Sequence, residues 1–253
     1  MQDYTPLPSE EEIEEFSRKV RCCLPFVLIS IAPFLAAYYW MNDARVDWVI
    51  LLWGAGGWWA ALVFRVPFIL GTKALLTDSP SQQAELQLVT VLLSGPAEES
   101  IRVAMLFVSG WAASFTATFA LGLGWTALEL AFTVVQSITA IQLLRAAKAG
   151  DPKAVEAFHL LAAQTGREDP LSLHPAWGIL ERCSAHALHI SMSLFGAISP
   201  WMVLGTLTVH SAINWSTVAC LRMHGPVVAE VGLCFVSSAL LLAALRVWHP
   251  FAI

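Results

Sequence analysis

The chain of 253 residues is 57% apolar and only 13% charged, with 11 tryptophans and a mean hydropathy of +0.64, which excludes an ordinary water-soluble domain and points to a polytopic membrane protein. The net charge of -5 contains no basic excess, so no nucleic-acid partner is expected and the tryptophans read as lipid-facing and interfacial residues. Five cysteines (Cys22, Cys23, Cys183, Cys220, Cys234) lie in or beside apolar runs without a CxxC; buried, inert thiols are expected, with neither disulfides nor a thiolate zinc site.

Residues 1–21 form an acidic tail, in which six acids (Asp3, Glu10, Glu11, Glu12, Glu14, Glu15) stand against Arg18, Lys19 and Arg21 for a balance of -3. A basic n-region is missing, so no cleaved signal peptide is expected. Apolar runs near the roughly 20 residues needed to cross a bilayer follow at 22–41, 48–74 (with a kink expected before Pro67), 85–110, 114–145, 175–197, 200–220 and 226–247. They predict one all-α domain of about seven transmembrane helices over 22–247, with a short tail at 248–253. The long polar connection, 146–174, contains at 152–163 the spacing of an amphipathic helix for the membrane surface. Arg18, Lys19, Arg21, Lys73, Arg145, Lys148, Lys153, Arg167 and Arg222 fall on one side of these spans, and only Arg45 and Arg246 on the other. The positive-inside rule then puts the N-terminus and the 146–174 loop in the cytoplasm and the C-terminus outside. Internal repeats of the kind that mark many transporters are absent.

The informative residues are those that hydropathy would exclude. VTVLLSGPAEESIRVAMLFVSGW places Glu98, Glu99 and Arg102 inside the third run; ALGLGWTALELAFTVV places Glu129 in the fourth; WGILERCSAHALHISMSLF places Glu181, Arg182, His186 and His189 in the fifth; and GTLTVHSAINWST places His210 and Asn214 in the sixth. Each Glu or Arg at the bilayer centre costs roughly 2.5–3.5 kcal/mol, so these groups are expected to converge inside the bundle. Arg102 can reach back one turn to Glu98 or Glu99. His210 and Asn214 share a face, as do Arg182 and His189, whose stripe also carries Ala185 and Ser193. His186 reads as a satisfied helix-interface histidine. His159, His174, His224 and His249 read as solvated, and Glu230 as reaching the interface.

A desolvated glutamate beside an imidazole can activate water, and a second histidine with an Asn or Arg can stabilise an oxyanion, which together make acyl hydrolysis without a covalent intermediate. Ser100 and Ser193 lack a G-x-S-x-G context and are poor candidates as nucleophiles. A metal version would use Glu98, Glu129, His189 and His210 as zinc ligands, although H-E-x-x-H is absent. A non-catalytic scaffold that holds a partner helix, and a proton-coupled carrier, are readings from other classes.

The ordered motifs Glu98-Glu99-x-x-Arg102, Gly122-x-Gly124-Trp125-x-x-x-Glu129, Glu181-Arg182-x-x-Ala185-x-x-x-His189-x-x-x-Ser193 and His210-x-x-x-Asn214 resemble the PrsW/YhfC branch of the CAAX-protease and bacteriocin-processing superfamily. YhfC is the nearer likeness. The lineage also includes the Aph subunit of gamma-secretase, a scaffold. The resemblance covers about residues 85–220 and implies an intramembrane endopeptidase of a bacterial or archaeal plasma membrane, acting on a transmembrane or membrane-associated peptide among membrane lipids. It implies Glu98 as general base supported by Glu99 and Arg102, Glu129 with His189 in water activation, His210 with Asn214 at the oxyanion, and Glu181, Arg182 and Ser193 in support. No cofactor is expected, with zinc as the alternative. Trp125 stands where the second motif usually has Phe.

Overall fold

A computed structural model describes residues 6–75, 86, 88–165, 171 and 173–248, and every regular element among them is a helix. The first residue of the third expected run, together with Asp3, Arg167, His249 and the tail beyond Trp248, lies outside the described residues.

Local chemistry sets the helix ends. Helix α1 (Glu10–Ile29) opens on a capping box, in which the Glu12 amide donates to Ser9 Oγ at 3.2 Å and the Ser9 amide donates to Glu12 Oε2 at 2.6 Å, satisfying two donors that the helix leaves free. The Ser9 backbone amide, and then its hydroxyl, hold the Glu12 carboxyl below the usual carboxylate range. The first expected run is split, because α1 stops at Ser30 and α2 (Ala32–Met41) restarts with Pro33 in its first turn, a position where the missing N–H loses no helical bond. Asp47 Oδ1 accepts from the amides of Val49 and Ile50 at 3.1 and 3.3 Å and starts α3 (Trp48–Leu75), which continues past Pro67. Helix α4 (Ser94–Val108) ends at Gly110, whose φ of 75° suits glycine, and a short 3-10 turn leads to Ser114, the N-cap of α5 (Phe115–Lys148). The remaining helices are α6 (Pro152–Thr165), α7 (Trp177–Gly196), α8 (Met202–His224) and α9 (Pro226–Trp248).

Four stretches are long and apolar enough to cross a membrane: Glu10–Met41, Trp48–Ala74, Phe115–Lys148 and Pro226–Trp248. Of the seven expected spans, these are the ones that length and composition support by themselves. Helices α4, α7 and α8 occupy the other three places, and they carry Glu98, Glu99, Arg102, Glu181, Arg182, His189 and His210, which depress their hydropathy. The surface is inverted relative to a soluble protein: Trp40 is 82% exposed, Trp201 79% and Phe235 76%, while Glu99 and Arg102 are fully enclosed. Apolar side chains outside and ionised ones inside are the arrangement of an integral membrane protein.

Helix α3 packs along α5, α7 lies against both α5 and α9, and α4 packs on α8. Two glycines of α5 permit this. A methyl on Gly124 would overlap the Leu51 carbonyl of α3, and one on Gly122 would come within 2.9 Å of Ile190 Cα on α7. Small residues let membrane helices reach backbone contact, where dispersion and weak hydrogen bonds replace the hydrophobic drive that lipid cannot supply. The main core (Tyr38, Trp58, Leu106, Phe119, Trp125, Ile190, Leu194) surrounds these contacts.

The segment at 152–163 forms the expected helix, α6, whose Ala154 and Phe158 are buried with Leu144, Ala147 and Ile13. One expectation is corrected. The thiols are all unbonded, but Cys22 is exposed and the other four are half-buried, because they lie on helix faces turned toward the outside of the bundle.

Candidate functional site

Glu98, Glu129, His189 and His210 come from four different helices and line one cavity of about 330 Å³. Helices α3, α4, α5, α7, α8 and α9 all contribute to its wall, so the polar groups that would be costly in lipid share one enclosure.

On α4 the paired glutamates divide their work. Glu98 reaches the cavity, held by Arg65 Nη2 at 3.2 Å from Oε1 and by the Trp125 indole N–H, which donates to Oε2 at 3.2 Å. Glu99 points the other way and is fully enclosed. Arg102 lies between them, 3.9 Å from Glu98 and 3.4 Å from Glu99, with its guanidinium carbon 4.4 Å from the Trp125 ring centre. It also donates to the His189 carbonyl at 3.0 Å and to His189 Nδ1 at 2.9 Å. A guanidinium only donates, so Nδ1 accepts and the ring proton of neutral His189 sits on Nε2.

That Nε2 lies 2.6 Å from Glu129 Oε2. The approach is close but not aligned, and Oε2 has no directed hydrogen bond among the described residues. Glu129 Oε1 accepts from Arg182 at 3.2 Å, and Arg182 is also clamped by Glu181. Ser193 does not reach the cavity. It is buried, donates its hydroxyl to the His189 carbonyl at 2.9 Å, and packs beside Gly122.

His210 has the reverse tautomer. Its Nδ1 is 2.7 Å from Glu99 Oε1, and since Glu99 is held as a carboxylate by Arg102, Nδ1 must be the donor. The lone pair of neutral His210 is then on Nε2, which has no hydrogen-bond partner among the described residues. His189 and His210 stand edge to face with ring centres 5.5 Å apart. Asn214 lines the cavity, but its amide donates to Ser94 Oγ at 2.8 Å instead of joining His210.

Reading by runs missed two participants. Arg65 is a single charge inside an apolar stretch of α3, detectable by the same criterion that exposed Glu129. Trp125 was visible only as a departure from Phe, yet its N–H is what a phenyl ring lacks. Glu230 also differs from expectation: it is 8% exposed, and its Oε2 is buried without a hydrogen-bond partner among the described residues, because α9 packs on α7. Among the described residues Arg65 Nε, Glu99 Oε2 and Arg102 Nε are unpartnered too, a concentration of unused polar atoms that ordinary cores avoid. Ser100 is exposed and outside the cavity.

In this bonding pattern His189 retains no lone pair for a metal, and among the described residues no group of three or more His, Cys, Asp or Glu is placed to hold one. Comparison with protein-family models, curated proteins and solved structures found nothing that matches this chain.

Proposed function

We propose that the protein is an intramembrane endopeptidase of the PrsW/YhfC type, built on about seven spans with its N-terminus in the cytoplasm, which hydrolyses a peptide bond of a membrane-associated polypeptide with water. The observation that carries the reading is the meeting of Glu98, Glu129, His189 and His210 on one cavity wall system.

The hydrogen bonds favour an exchange of roles relative to the resemblance. His210 Nε2 takes a proton from water as the water oxygen bonds to the carbonyl carbon, and Glu99, bonded behind the ring, stabilises the imidazolium. Glu98 orients the water through its remaining lone pairs. Arg65, which lines the cavity beside Glu98, faces the oxyanion in place of Asn214. The His210 proton then passes to the leaving nitrogen as the C–N bond breaks, giving a carboxylic acid and an amine, and the acid's remaining proton moves to the amine so that they leave as carboxylate and ammonium. His189 and Arg182 hold Glu129 in position.

Cells expressing the wild type or His210→Ala are compared by mass-spectrometric profiling of new termini in membrane proteins. Termini present only with wild type, and lost again with Glu98→Gln, are expected. Identical profiles would sink the hydrolase and favour a non-catalytic scaffold. Zinc near one equivalent in purified protein, with activity lost to chelator, would restore the metal version.

A further inference from the structure

A second cavity of about 380 Å³ lies between α8 and α9, apolar and open at the protein surface, formed by Val209, Ile213 and Cys220 on one helix and Gly232, Val236 and Leu240 on the other. One residue, Leu233, lines both this groove and the polar cavity that holds Glu98 and His210. This half-buried side chain therefore stands on the border between an outward-facing apolar surface and the ionised interior. Helix α9 is among the stretches able to cross the membrane, so the groove lies along a membrane-crossing helix. A Cβ built on Gly232 meets nothing within 4 Å, which leaves the groove open at that point of α9.

We propose that this groove receives an apolar membrane-spanning segment of a polypeptide and that displacement of Leu233 lets its backbone pass sideways to the polar cavity. The choice of a polypeptide over a lipid chain rests on the hydrolytic reading above and on the continuity through Leu233. A spanning polypeptide carries peptide bonds through the whole depth of the hydrocarbon, whereas the ester bonds of a phospholipid lie at its edge near the headgroups. The groove offers mainly dispersion, and its Ser216 and Thr217 hydroxyls are the polar atoms that a helix backbone would meet.

The probe is a synthetic single-span peptide of about 20 leucine and alanine residues, reconstituted with the full chain in phosphatidylcholine vesicles. A photoreactive benzophenone amino acid replaces either Val236, in the groove, or Phe235, which is exposed on α9 outside it. Peptide crosslinking at 236 well above 235 is expected, falling about tenfold in Gly232→Phe as its ring fills the site. Equal crosslinking at the two positions, or labelling of phospholipid alone at 236, overturns the proposal, and neither result needs the filled variant to fold. Cleavage of the same peptide is followed in parallel, so the two readings fail separately. Selective crosslinking without cleavage keeps the groove and discards the hydrolase. Cleavage with equal crosslinking keeps the hydrolase and discards the groove.

Discussion

His186 and His189 stand three residues apart on α7, both almost fully enclosed, and their surroundings differ in kind. His186 donates from Nε2 to Ser30 Oγ at 2.9 Å, Ser30 passes its own proton to the Val27 carbonyl, and the Thr126 hydroxyl donates to Nδ1 at 2.6 Å. Every lone pair and proton on that ring is used by a neutral partner, and the edge of Phe34 closes the site. His189 instead meets Arg102 and Glu129, lies beside Glu98, and borders a cavity. A buried histidine is a staple when its hydrogen bonds close on themselves, and a candidate for chemistry when they run into surplus charge and open space.

The largest effect that sharpens this contrast is on turnover. His210→Ala is expected to lower release of new termini by about 10²- to 10⁴-fold, the usual range for a general base, while His186→Ala leaves turnover per folded molecule unchanged. Comparable losses in both would erase the distinction. Next is stability: Arg102→Leu takes the cation from the fully enclosed Glu99, while Glu98 keeps Arg65 and Trp125, and is expected to cost about 3–5 kcal/mol, read from unfolding in mixed detergent. His186→Ala should cost less, about 1–3 kcal/mol for the hydroxyls it leaves unpaired, by the same measurement. Trp125→Phe keeps a ring for Arg102 but removes the N–H that holds Glu98, so turnover should fall at least about tenfold, the low end of the roughly 1.5–3 kcal/mol for one hydrogen bond to a charged group. The smallest effect is remote from both histidines. Because the folded Glu12 carboxyl sits below its usual range, its contribution is full above the unfolded value and fades as pH falls through the folded one. Protection of the Glu12 and Ile13 amides, measured against their intrinsic exchange rates, should therefore fall under acid, and Glu12→Gln should remove that dependence.

Much of the site could be read from the chain, since ionisable residues in apolar runs are conspicuous and helical spacing already linked Arg102 to Glu98 and Glu99. Arg65 was equally conspicuous in principle but lay in a run with no motif around it. The bonds from His210 to Glu99 and from Asn214 to Ser94 could not be read at all. Spacing along one helix says which residues share a face, but it does not say which atom of a neighbouring helix each one meets.

The low charge content and high hydropathy determined an all-helical membrane protein, because apolar runs of that length have no other stable solution in lipid. Tertiary structure decided the rest. It brought Glu98, Glu129, His189 and His210 from four helices to one cavity, gave His189 and His210 opposite tautomers through Arg102 and Glu99, and set Leu233 on the border between that cavity and an apolar groove. These outcomes depend on close packing at Gly122 and Gly124 and on hydrogen-bond direction across helices, neither of which a hydropathy profile contains.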